Sequence, residues 1–570
     1  MGARLDLIHL RRPAAFAVAV LALESVLYGL GGRDVSPGAL GGLHAAWISG
    51  AVRAAALLVG LALLVLTPRL WRGTRTAVTL TIAGLVALAV LNAGHGRPAA
   101  AALQAGLALM LALSRRAFRL GCSNRPRPAI VLAAALAWGL AVGALLLAPL
   151  VRSAAGHVLA HVLHHPAAPA VHLAAGTAWL AGAWGQLIEV LIAAAAVSSV
   201  LAVRSLVSPA RATDGHSEHE DLQARAIVDT HGTDSLTPFL LRPDKALAFA
   251  ADGVLSYRVI GGTAVVSADP VAPGDGAGDV LAGFQELARR QGWDIAVWGA
   301  SGRHLAAYRR LGLRAICVGE EAFVDPSGFS LEGRAVRKLR QSVHRITRRG
   351  WTIDAYDGRD VDAALEAEIE ALADRWRLDH PQLHGFAMGM GQYPSPMRPD
   401  DVYVLARSPE GELGAVMRFA GYAGSLSLDT MHRVGETPNG LNEALVVRAL
   451  EVARERGIAE VSLNYAGLAH LVRGEPSRSR LGRALTRLAL APLHRRFQMD
   501  RLVRFNEKFS PQWRPRYLVY ESRTALPRAI LRVLQAEGYL PEPRPSLLLA
   551  ALPRLFPARA RQRGALGEPR

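Results

Sequence analysis

A cluster of charged residues closes a predicted strand in the C-terminal half of the chain. Residues 425–433 read SLSLDTMHR, whose alternating leucines predict a strand, and Asp429, His432 and Arg433 stand at its end. A polar turn, a helix and a second strand follow before residue 466. A carboxylate at such a place can accept hydrogen bonds from an ammonium group or a hydroxyl. Because ligands of open α/β sheets collect at the carboxyl ends of strands, the cluster indicates a ligand site, with a salt-bridged turn as the alternative.

A second group of reactive side chains lies near the C-terminus. The sequence FNEKFSPQWRPRYLVY, residues 505–520, sets three cations, Lys508, Arg514 and Arg516, beside the aromatic residues Phe505, Phe509, Trp513 and Tyr517. Cations beside aromatic surface suit a lipid phosphate whose glycerol or acyl portion lies on the rings. Aromatic packing around the prolines is the alternative.

A basic amphipathic helix is predicted over residues 331–351. Val336, Leu339, Val343 and Ile346 recur at helical spacing and form an apolar stripe. Six cations with no acidic residue between them occupy the rest of the helix surface: Arg337, Lys338, Arg340, Arg345, Arg348 and Arg349. Such a surface favours phosphates, so RNA and the anionic membrane surface are its candidate partners, against the alternative of a solvated face.

The remaining pattern of the C-terminal half predicts two α/β lobes. Strands and a helix follow residue 248, and the segment YRRLGLRAICVGEEAFVD resembles the end of a Gcn5-related N-acyltransferase fold. Strands resume near residues 402 and 413 and lead into the charged cluster. We therefore predict the following division: membrane domain 1–205, linker 206–238, first lobe 239–330, basic helix 331–351, second lobe 352–545 and basic tail 546–570.

The N-terminal 205 residues are apolar and predict a helical membrane domain. Six runs are long enough to cross a bilayer as helices: 13–30, 43–66, 75–94, 98–114, 129–151 and 171–203. Arginines concentrate before the first run, between the second and third, and between the fourth and fifth. The positive-inside rule therefore places the N-terminus and everything after Arg204 in the cytoplasm.

Polar residues inside or beside these runs are a further candidate set. Glu24 and Glu189 are intramembrane carboxylates, for which functional and structural roles are equally open. His161 and His165 in the segment His157–His172 have the spacing of helical metal ligands, but an interfacial helix is the favoured interpretation. The two cysteines lie far apart and indicate neither a disulfide nor a zinc site. The net charge of +18 favours anionic partners such as nucleic acid or acidic lipid.

Several segments together resemble the aminoacyl-phosphatidylglycerol synthases, also called multiple peptide resistance factor. They occur in the family's order over residues 240 to 540: YRRLGLRAICVGEEAFVD, FSLEGRAVRKLRQSVHRITRRGW, LSLDTMHR, TPNGLNEALVVRALEVARERG and NEKFSPQWRPRYLVY. The resemblance implies a multi-pass region in the bacterial inner membrane followed by tandem Gcn5-like lobes. It implies transfer of a lysyl or alanyl group from aminoacyl-tRNA to phosphatidylglycerol, which changes envelope charge and resistance to cationic antimicrobial peptides, with no metal or cofactor.

The resemblance also implies roles for individual residues. Asp429 is expected to bind the donor's α-ammonium or to orient the acceptor, and His432 or Arg433 to meet phosphates or the oxyanion. The other expected residues are the catalytic Glu443, the substrate-binding Asn439, Asn442, Asn464 and Tyr465, the lipid-phosphate ligands Lys508, Arg514 and Arg516, and the six cations of the basic helix as the tRNA-binding surface. The site should be a tunnel or cleft between the lobes.

This chain departs from the family pattern in two places. The family usually has Asp-x-Met-Arg where Asp429-Thr430-Met431-His432 stands here, and its full-length flippase-synthases have more than six spans. A membrane-anchored, coenzyme-A-dependent N-acyltransferase is one alternative, although ETPNGLNEA does not fit the pyrophosphate loop of those enzymes. A lipid transporter with regulatory cytoplasmic lobes is the other.

Overall fold

The chain forms two compact units. The computed structural model describes residues 11–30, 43–115, 215–334, 336–380, 385–389, 397–465 and 499–542, together with isolated residues between them. One unit comprises Met1–Arg211 and Leu287–Trp293, and the other comprises Ala212–Glu286 and Asp294–Arg570. They correspond closely to the apolar and the charged parts of the sequence.

Four apolar helices are described in the N-terminal unit: α1 Arg11–Leu30, α2 Leu43–Arg72, α3 Arg75–Gly94 and α4 Pro98–Leu113. Pro13–Leu30 and Arg75–Gly94 are long and apolar enough to cross a membrane, whereas Ala55–Trp71 and Pro98–Leu113 are shorter. The fifth and sixth predicted spans lie largely outside the described residues. Six spans and a cytoplasmic C-terminal part therefore stay predictions.

Glu24 takes part in an ion pair within this unit. Its carboxylate accepts a hydrogen bond of 2.5 Å from Arg97 at the start of α4, and the Arg97 guanidinium also lies 4.2 Å from the centre of the Tyr28 ring. Arg97 further donates to Asn92 at 3.1 Å. These contacts connect α1, α3 and α4, which supports the structural interpretation of Glu24. Glu189 and the segment His157–His172 lie outside the described residues.

The C-terminal unit is built on one sheet of eleven strands in the order β1-β2-β3-β4-β11-β5-β10-β9-β8-β7-β6. The bounds are β1 Ala246–Ala250, β2 Gly253–Ile260, β3 Thr263–Val271, β4 Asp294–Ala300, β5 Arg314–Val324, β6 Thr352–Asp357, β7 Val402–Arg407, β8 Leu413–Tyr422, β9 Ser425–Arg433, β10 Val461–Tyr465 and β11 Gln512–Tyr520. The strands predicted near residues 402, 413, 425 and 461 are confirmed.

The two predicted lobes exchange their last strands. In each lobe an antiparallel run ends in one parallel pair, β3 with β4 in the first and β9 with β10 in the second. The first lobe's β5 pairs with β10, and the second lobe's β11 pairs with β4, while β5 and β11 pair with each other. Because each lobe completes the other's sheet, the lobes form one continuous layer.

Helices cover this sheet. Their bounds are α5 Glu218–His231, α6 Ala277–Gln291, α7 Leu305–Arg310, α8 Arg337–Arg348, α9 Ala363–Asp379, α10 Leu441–Glu455, α11 Met499–Asn506 and α12 Leu526–Ala536. In the second lobe, α8 and α10 share one apolar core with strands β7 to β10, and α9 packs on the other side with Tyr403, Val416 and Val434. Leu339 and Ile346 of the predicted apolar stripe are fully buried, so the amphipathic interpretation of α8 is confirmed.

The predicted linker 206–238 is partly wrong, because its second half is folded. Ser217 caps α5: its hydroxyl accepts from the Glu220 amide, and the Glu220 carboxylate accepts from the Ser217 amide. This reciprocal cap follows the Ser-x-x-Glu pattern that marks helix starts. Ala224 and Val228 of α5 then pack against Leu240 and Val254 of the first lobe.

Candidate active site

Asp429 is the extra residue of a β-bulge between β8 and β9. Leu428 pairs with Phe419 and Thr430 pairs with Arg418, which leaves Asp429 unpaired in the ladder. Residues three apart in a regular strand point to opposite faces. Because of the bulge, Leu428 and Met431 instead both pack on the α10 side. A regular strand alternates strictly, so the bulge is what brings Asp429 and His432 to the same face, towards α9.

A buried guanidinium holds Asp429. Arg418 of β8 contacts one carboxylate oxygen of Asp429 and also donates to Asp401 through Nε at 2.7 Å. The other oxygen of Asp401 accepts from the Gly421 amide at 3.1 Å. The side chains of Asp401 and Asp429 are 0% and 1% exposed. Two carboxylates face one guanidinium, so when both are ionised the cluster carries one surplus negative charge.

The second oxygen of Asp429, Oδ1, has no hydrogen-bond partner among the described residues, although it is buried. Burial raises the pKa of Asp429 above its ordinary value, and the charge of Arg418 opposes that rise. A buried carboxylate oxygen without a partner is costly and is well suited to accept a hydrogen bond from a ligand cation or hydroxyl.

A short covering segment, Gly385–Gly389, lies over this oxygen. A side chain on Gly389 would overlap the Asp429 carboxylate, so the backbone passes directly beside it. Arg242 donates to the carbonyl oxygens of Gly385, at 2.7 Å, and of Met388. The Glu537 carboxylate accepts from the Ala387 amide at 3.2 Å. The covering segment is thus held by residues distant in sequence, and it closes one side of the site.

His432 lies beside this cluster in an aromatic setting. Its ring stacks on Trp376 of α9 at 4.3 Å between ring centres, and its Nδ1 is 2.9 Å from the Tyr393 hydroxyl. Burial, and then the charges of Arg377 and His380, lower the pKa of His432 to about 4. The imidazole is therefore neutral near pH 7. If the Tyr393 hydroxyl donates to Nδ1, the ring proton resides on Nε2, which is then a neutral donor.

The other predicted catalytic residues occupy different surroundings. Arg433 is exposed at the end of β9, one position beyond the buried His432. Glu443 in the first turn of α10 forms an ion pair of 2.6 Å with Lys508, which joins two residues predicted for different roles. The structure thus brings Asp429 and His432 together and leaves Arg433 at the surface.

The predicted substrate-binding asparagines surround the start of α10 and the end of β10. Asn439 is exposed and Asn442 half-buried. Asn464 has a left-handed backbone, with φ of 77°, and its side-chain amide donates to the carbonyl of Leu428 at 3.3 Å. Asn464 therefore fastens β10 to β9 next to the bulge. Tyr465 ends β10, and its side chain lies outside the described part of the structure.

The predicted lipid-phosphate set does not stay together. Lys508 is 44% exposed, and Arg514 is about half exposed while making two hydrogen bonds to Glu460. Arg516 is 3% exposed and donates to Glu321, Asp234 and Ser235. The assignment of Arg516 as a phosphate ligand is wrong, because its guanidinium is enclosed between two carboxylates where β11 crosses into the first lobe.

The basic helix α8 adjoins the start of α10. Ser342 of α8 lies against Gly440, whose left-handed backbone, with φ of 99°, begins α10. Arg340 is half-buried and donates to the Leu331 carbonyl, so it supports the chain before the helix. The exposed cations are the other five: Arg337, Lys338, Arg345, Arg348 and Arg349.

A cavity of about 1050 Å³ opens in the first lobe at the carboxyl ends of β3 and β4. Asp269, Ser301 and His304 are among its lining residues, and none of the predicted site residues is. The predicted tunnel between the lobes stays a prediction.

Sequence reasoning missed four residues of the Asp429 site: Asp401, Arg418, Tyr393 and Trp376. Arg418 carried a usable signal, because it is a charged residue in the apolar strand LGAVMRFAGY and buried charges are rarely unpaired. Tyr393 and Trp376 carried none, since one precedes the predicted strands and the other sits on an ordinary amphipathic helix.

Comparison with known proteins decides the family. Residues 225–520 match the family described as phosphatidylglycerol lysyltransferase, C-terminal. The chain belongs to this family. A similar protein is the lysylphosphatidylglycerol biosynthesis bifunctional protein LysX of Rhodococcus jostii (strain RHA1), 34% identical over 355 residues, which cover 61% of this chain and 32% of that protein. LysX of Mycobacterium tuberculosis (strain ATCC 25618 / H37Rv) is 33% identical over 341 residues, with 58% and 28% covered.

The chain thus spans about a third of the length of the curated relatives it matches. Among solved structures, L-PGS from Bacillus licheniformis is similar over 58% of this chain and 99% of that chain, with a TM-score of 0.50 and 23% identity. This likeness shows the fold, and it agrees with the predicted α/β organisation of the C-terminal half. Within this lysyltransferase family, the Asp429 site lies in the matched region.

Proposed function

We propose that this protein is a membrane-bound aminoacyltransferase that moves an amino acid from aminoacyl-tRNA to a hydroxyl of phosphatidylglycerol. The observation that carries the proposal is the buried Asp429 oxygen that no described residue contacts by hydrogen bond, in a chain that belongs to the lysyltransferase family. A buried carboxylate with one free acceptor site suits the α-ammonium that every aminoacyl ester carries. The apolar helices of the N-terminal unit support a place at the membrane, where the acceptor lipid resides.

The chemistry required is an ester exchange. The lipid hydroxyl oxygen forms a bond to the ester carbonyl carbon, and the resulting oxyanion collapses as the bond to the terminal ribose oxygen of tRNA breaks. The proton of the lipid hydroxyl ends on that ribose oxygen. The donor ester is already activated, so the protein must mainly position the two substrates and stabilise the oxyanion.

Residues of the Asp429 site can supply these functions. Asp429 binds the α-ammonium, and Nε2–H of the neutral His432 donates to the oxyanion in place of the arginine that the family pattern usually has there. A neutral donor stabilises developing charge without forming an ion pair with either substrate. The covering segment excludes water from one side of the carboxylate, which strengthens its electrostatic contacts.

The surface cations fit the two large substrates. The five exposed cations of α8 face solvent beside the start of α10 and suit the tRNA backbone, whose affinity rises with the number of phosphates neutralised. Lys508 and Arg514 remain candidates for the lipid phosphate. At the start of α10, Ser342 of the neighbouring helix fills the space beside Gly440, which argues against a coenzyme A pyrophosphate at that helix N-terminus.

The test is lipid aminoacylation by the full-length protein in phosphatidylglycerol vesicles. Alanyl-tRNA or lysyl-tRNA with a labelled amino acid should transfer label to the lipid fraction, and mass spectrometry should identify aminoacyl-phosphatidylglycerol. Acetyl-coenzyme A with a free amine acceptor serves as the comparison donor. Transfer from acetyl-coenzyme A, together with none from either tRNA, would contradict the proposal.

A further inference from the structure

The aromatic stack beside His432 extends to the protein surface. Trp376 of α9 stacks on the ring of His432 at 4.3 Å and on the ring of His380 at 4.4 Å, with only 12° between the two ring planes of the second pair. His432 is 2% exposed, whereas His380, directly after the end of α9, is an exposed residue. We infer that His380, held on Trp376, stacks against the terminal adenine of the donor tRNA. The inference rests on the proposed function and assigns a binding residue to its donor.

The first step is the chemistry of the donor's end. In every aminoacyl-tRNA the ester joins the amino acid to the ribose of the terminal adenosine, and the adenine is attached to that same ribose. The adenine therefore lies about one nucleoside's width from His432 when this residue donates to the oxyanion. Trp376 and then His380 are the next rings outward from His432. The exposed ring is thus within reach of the base.

The second step concerns the orientation of the His380 ring. Residues four apart are neighbours on one side of a helix, so His380 follows Trp376 by one helical turn. The backbone amide of His380 donates to the Trp376 carbonyl oxygen at 3.1 Å, and the ring Nδ1 lies 2.9 Å from the same oxygen. Because a carbonyl oxygen only accepts, Nδ1 carries a proton. These contacts hold the ring in place before a ligand arrives, which reduces the entropy lost on binding.

The third step is the charge around this ring. Arg377 is paired with Asp374 at 2.9 Å, and the exposed neighbours Arg375 and Asp379 have opposite charges. The charges at the end of α9 therefore balance, in contrast to the five exposed cations of α8. Such a surface suits an uncharged ring better than a phosphate, because a base that stacks on an aromatic side chain needs no counter-charge.

The fourth step is the path from the tRNA-binding surface to this ring. The helix α9 contacts His432 near the carboxyl end of β9, and α10 begins after the turn that follows the same strand. Ser342 of α8 meets Gly440 at the start of α10. The cations of α8 and the ring of His380 thus lie on opposite faces of the sheet but adjoin the edge at which β9 ends. The single-stranded end of a tRNA that crosses this edge reaches both.

A double-mutant cycle between His380 and the terminal base tests the contact itself. Fluorescence anisotropy measures how the full-length, detergent-extracted protein binds an uncharged RNA minihelix that ends in CCA, and the same minihelix without its terminal base. The parent should bind the complete minihelix more tightly, by roughly five- to 150-fold. His380→Ala should abolish this difference, and His380→Phe, which keeps an aromatic ring, should restore most of it. Equal affinity of the parent for both minihelices, or a difference that persists in His380→Ala, would overturn the inference.

Transfer kinetics separate this inference from the proposed reaction. With phosphatidylglycerol vesicles, His380→Ala should raise the KM for aminoacyl-tRNA with little change in kcat, because stacking holds the donor equally before and during the reaction. His219→Ala, which changes an exposed histidine of α5, is the matched control and should behave as the parent does. If transfer proceeds but the parent binds both minihelices equally, the reaction stands and the inference falls. If no aminoacyl-tRNA transfers but the cycle gives the expected result, the proposed reaction falls and the adenine contact stands.

Discussion

Replacing Asp429 by Asn keeps the shape of the side chain and removes the negative charge that Arg418 leaves unbalanced. Arg418 retains Asp401, to which it is bound through both Nε and Nη2, so its own charge stays paired. We therefore expect the fold to survive with a small change in melting temperature. The loss should appear instead in the use of the aminoacyl donor.

The size of that loss follows from the burial of the carboxylate. Asp429 is 1% exposed, and its free oxygen has no partner among the described residues. Removing one partner of a buried, hydrogen-bonded charge pair costs about 2 to 5 kcal/mol. At about 1.4 kcal/mol for each factor of ten, kcat/KM for the donor should fall by roughly 30-fold to several thousand-fold.

The assay measures transfer of labelled amino acid from tRNA to phosphatidylglycerol vesicles over a range of donor concentrations. Glu368→Gln is the matched control, because Glu368 of α9 forms a two-bond ion pair with Arg407 that shares no residue with the Asp429 site. The control should lose some stability and keep its kcat/KM. If Asp429→Asn transferred at the parental rate while folded, the free oxygen would not hold the donor and our assignment of the site would be refuted.

Four further outcomes are expected. His432→Gln should make the protein less sensitive to acid in melting experiments. The pKa of His432 is about 4 in the folded state and 6.5 for an ordinary histidine, so the unfolded parent binds a proton more readily than the folded one. The parent therefore loses stability as pH falls from 6.5 towards 4, by roughly 3 kcal/mol at most. Arg516→Met should lower the free energy of unfolding by about 3 to 5 kcal/mol in urea titrations, since the buried Glu321 and the half-buried Asp234 lose their counter-charge, and a change below about 1 kcal/mol would contradict this. Lys508→Ala should raise the KM for anionic lipid, whereas Glu443→Gln, which frees Lys508 from its ion pair, should lower it. If the two variants changed this KM in the same direction, Lys508 would not be a ligand of the lipid phosphate. Replacing the five exposed cations of α8 by Gln should flatten the salt dependence of tRNA binding, because each cation that no longer neutralises a phosphate reduces the slope by about one, and an unchanged slope would exclude α8 from the tRNA interface.

Local patterns were sufficient to predict several elements of the C-terminal unit. Alternation in SLSLDTMHR and the 3.6-residue stripe of α8 predicted a strand and a helix that the structure contains, because each pattern reports which face of its own element must be buried. The same reasoning misjudged residues 217–231 as a linker. The polar sequence of α5 conceals its small apolar face, and the capping pair Ser217 and Glu220 was the signal that could have revealed it.

The exchange of β5 and β11 between the lobes could not be predicted from such patterns. A strand's own sequence shows that it will be buried, but it does not identify its neighbours in the sheet, since backbone hydrogen bonds are the same for any partner. That exchange encloses Arg516 between Glu321 and Asp234, residues that are nearly 200 and nearly 300 positions away. Arg516, which the segment RPRY predicted as a phosphate ligand, therefore lies in the interior.

The sequence alone determined that a carboxylate and a histidine stand at the end of a strand in the second lobe. It also determined that a basic helix precedes this lobe and that apolar helices precede both lobes. What these groups can do depends on the folded chain. The bulge at Asp429 reverses the alternation of the strand, so His432 rather than Arg433 shares its face, and Arg418, Tyr393 and the covering segment arrive from other parts of the chain. Charge balance and burial are sums over neighbours in space, and no spacing along the chain specifies which neighbours those are.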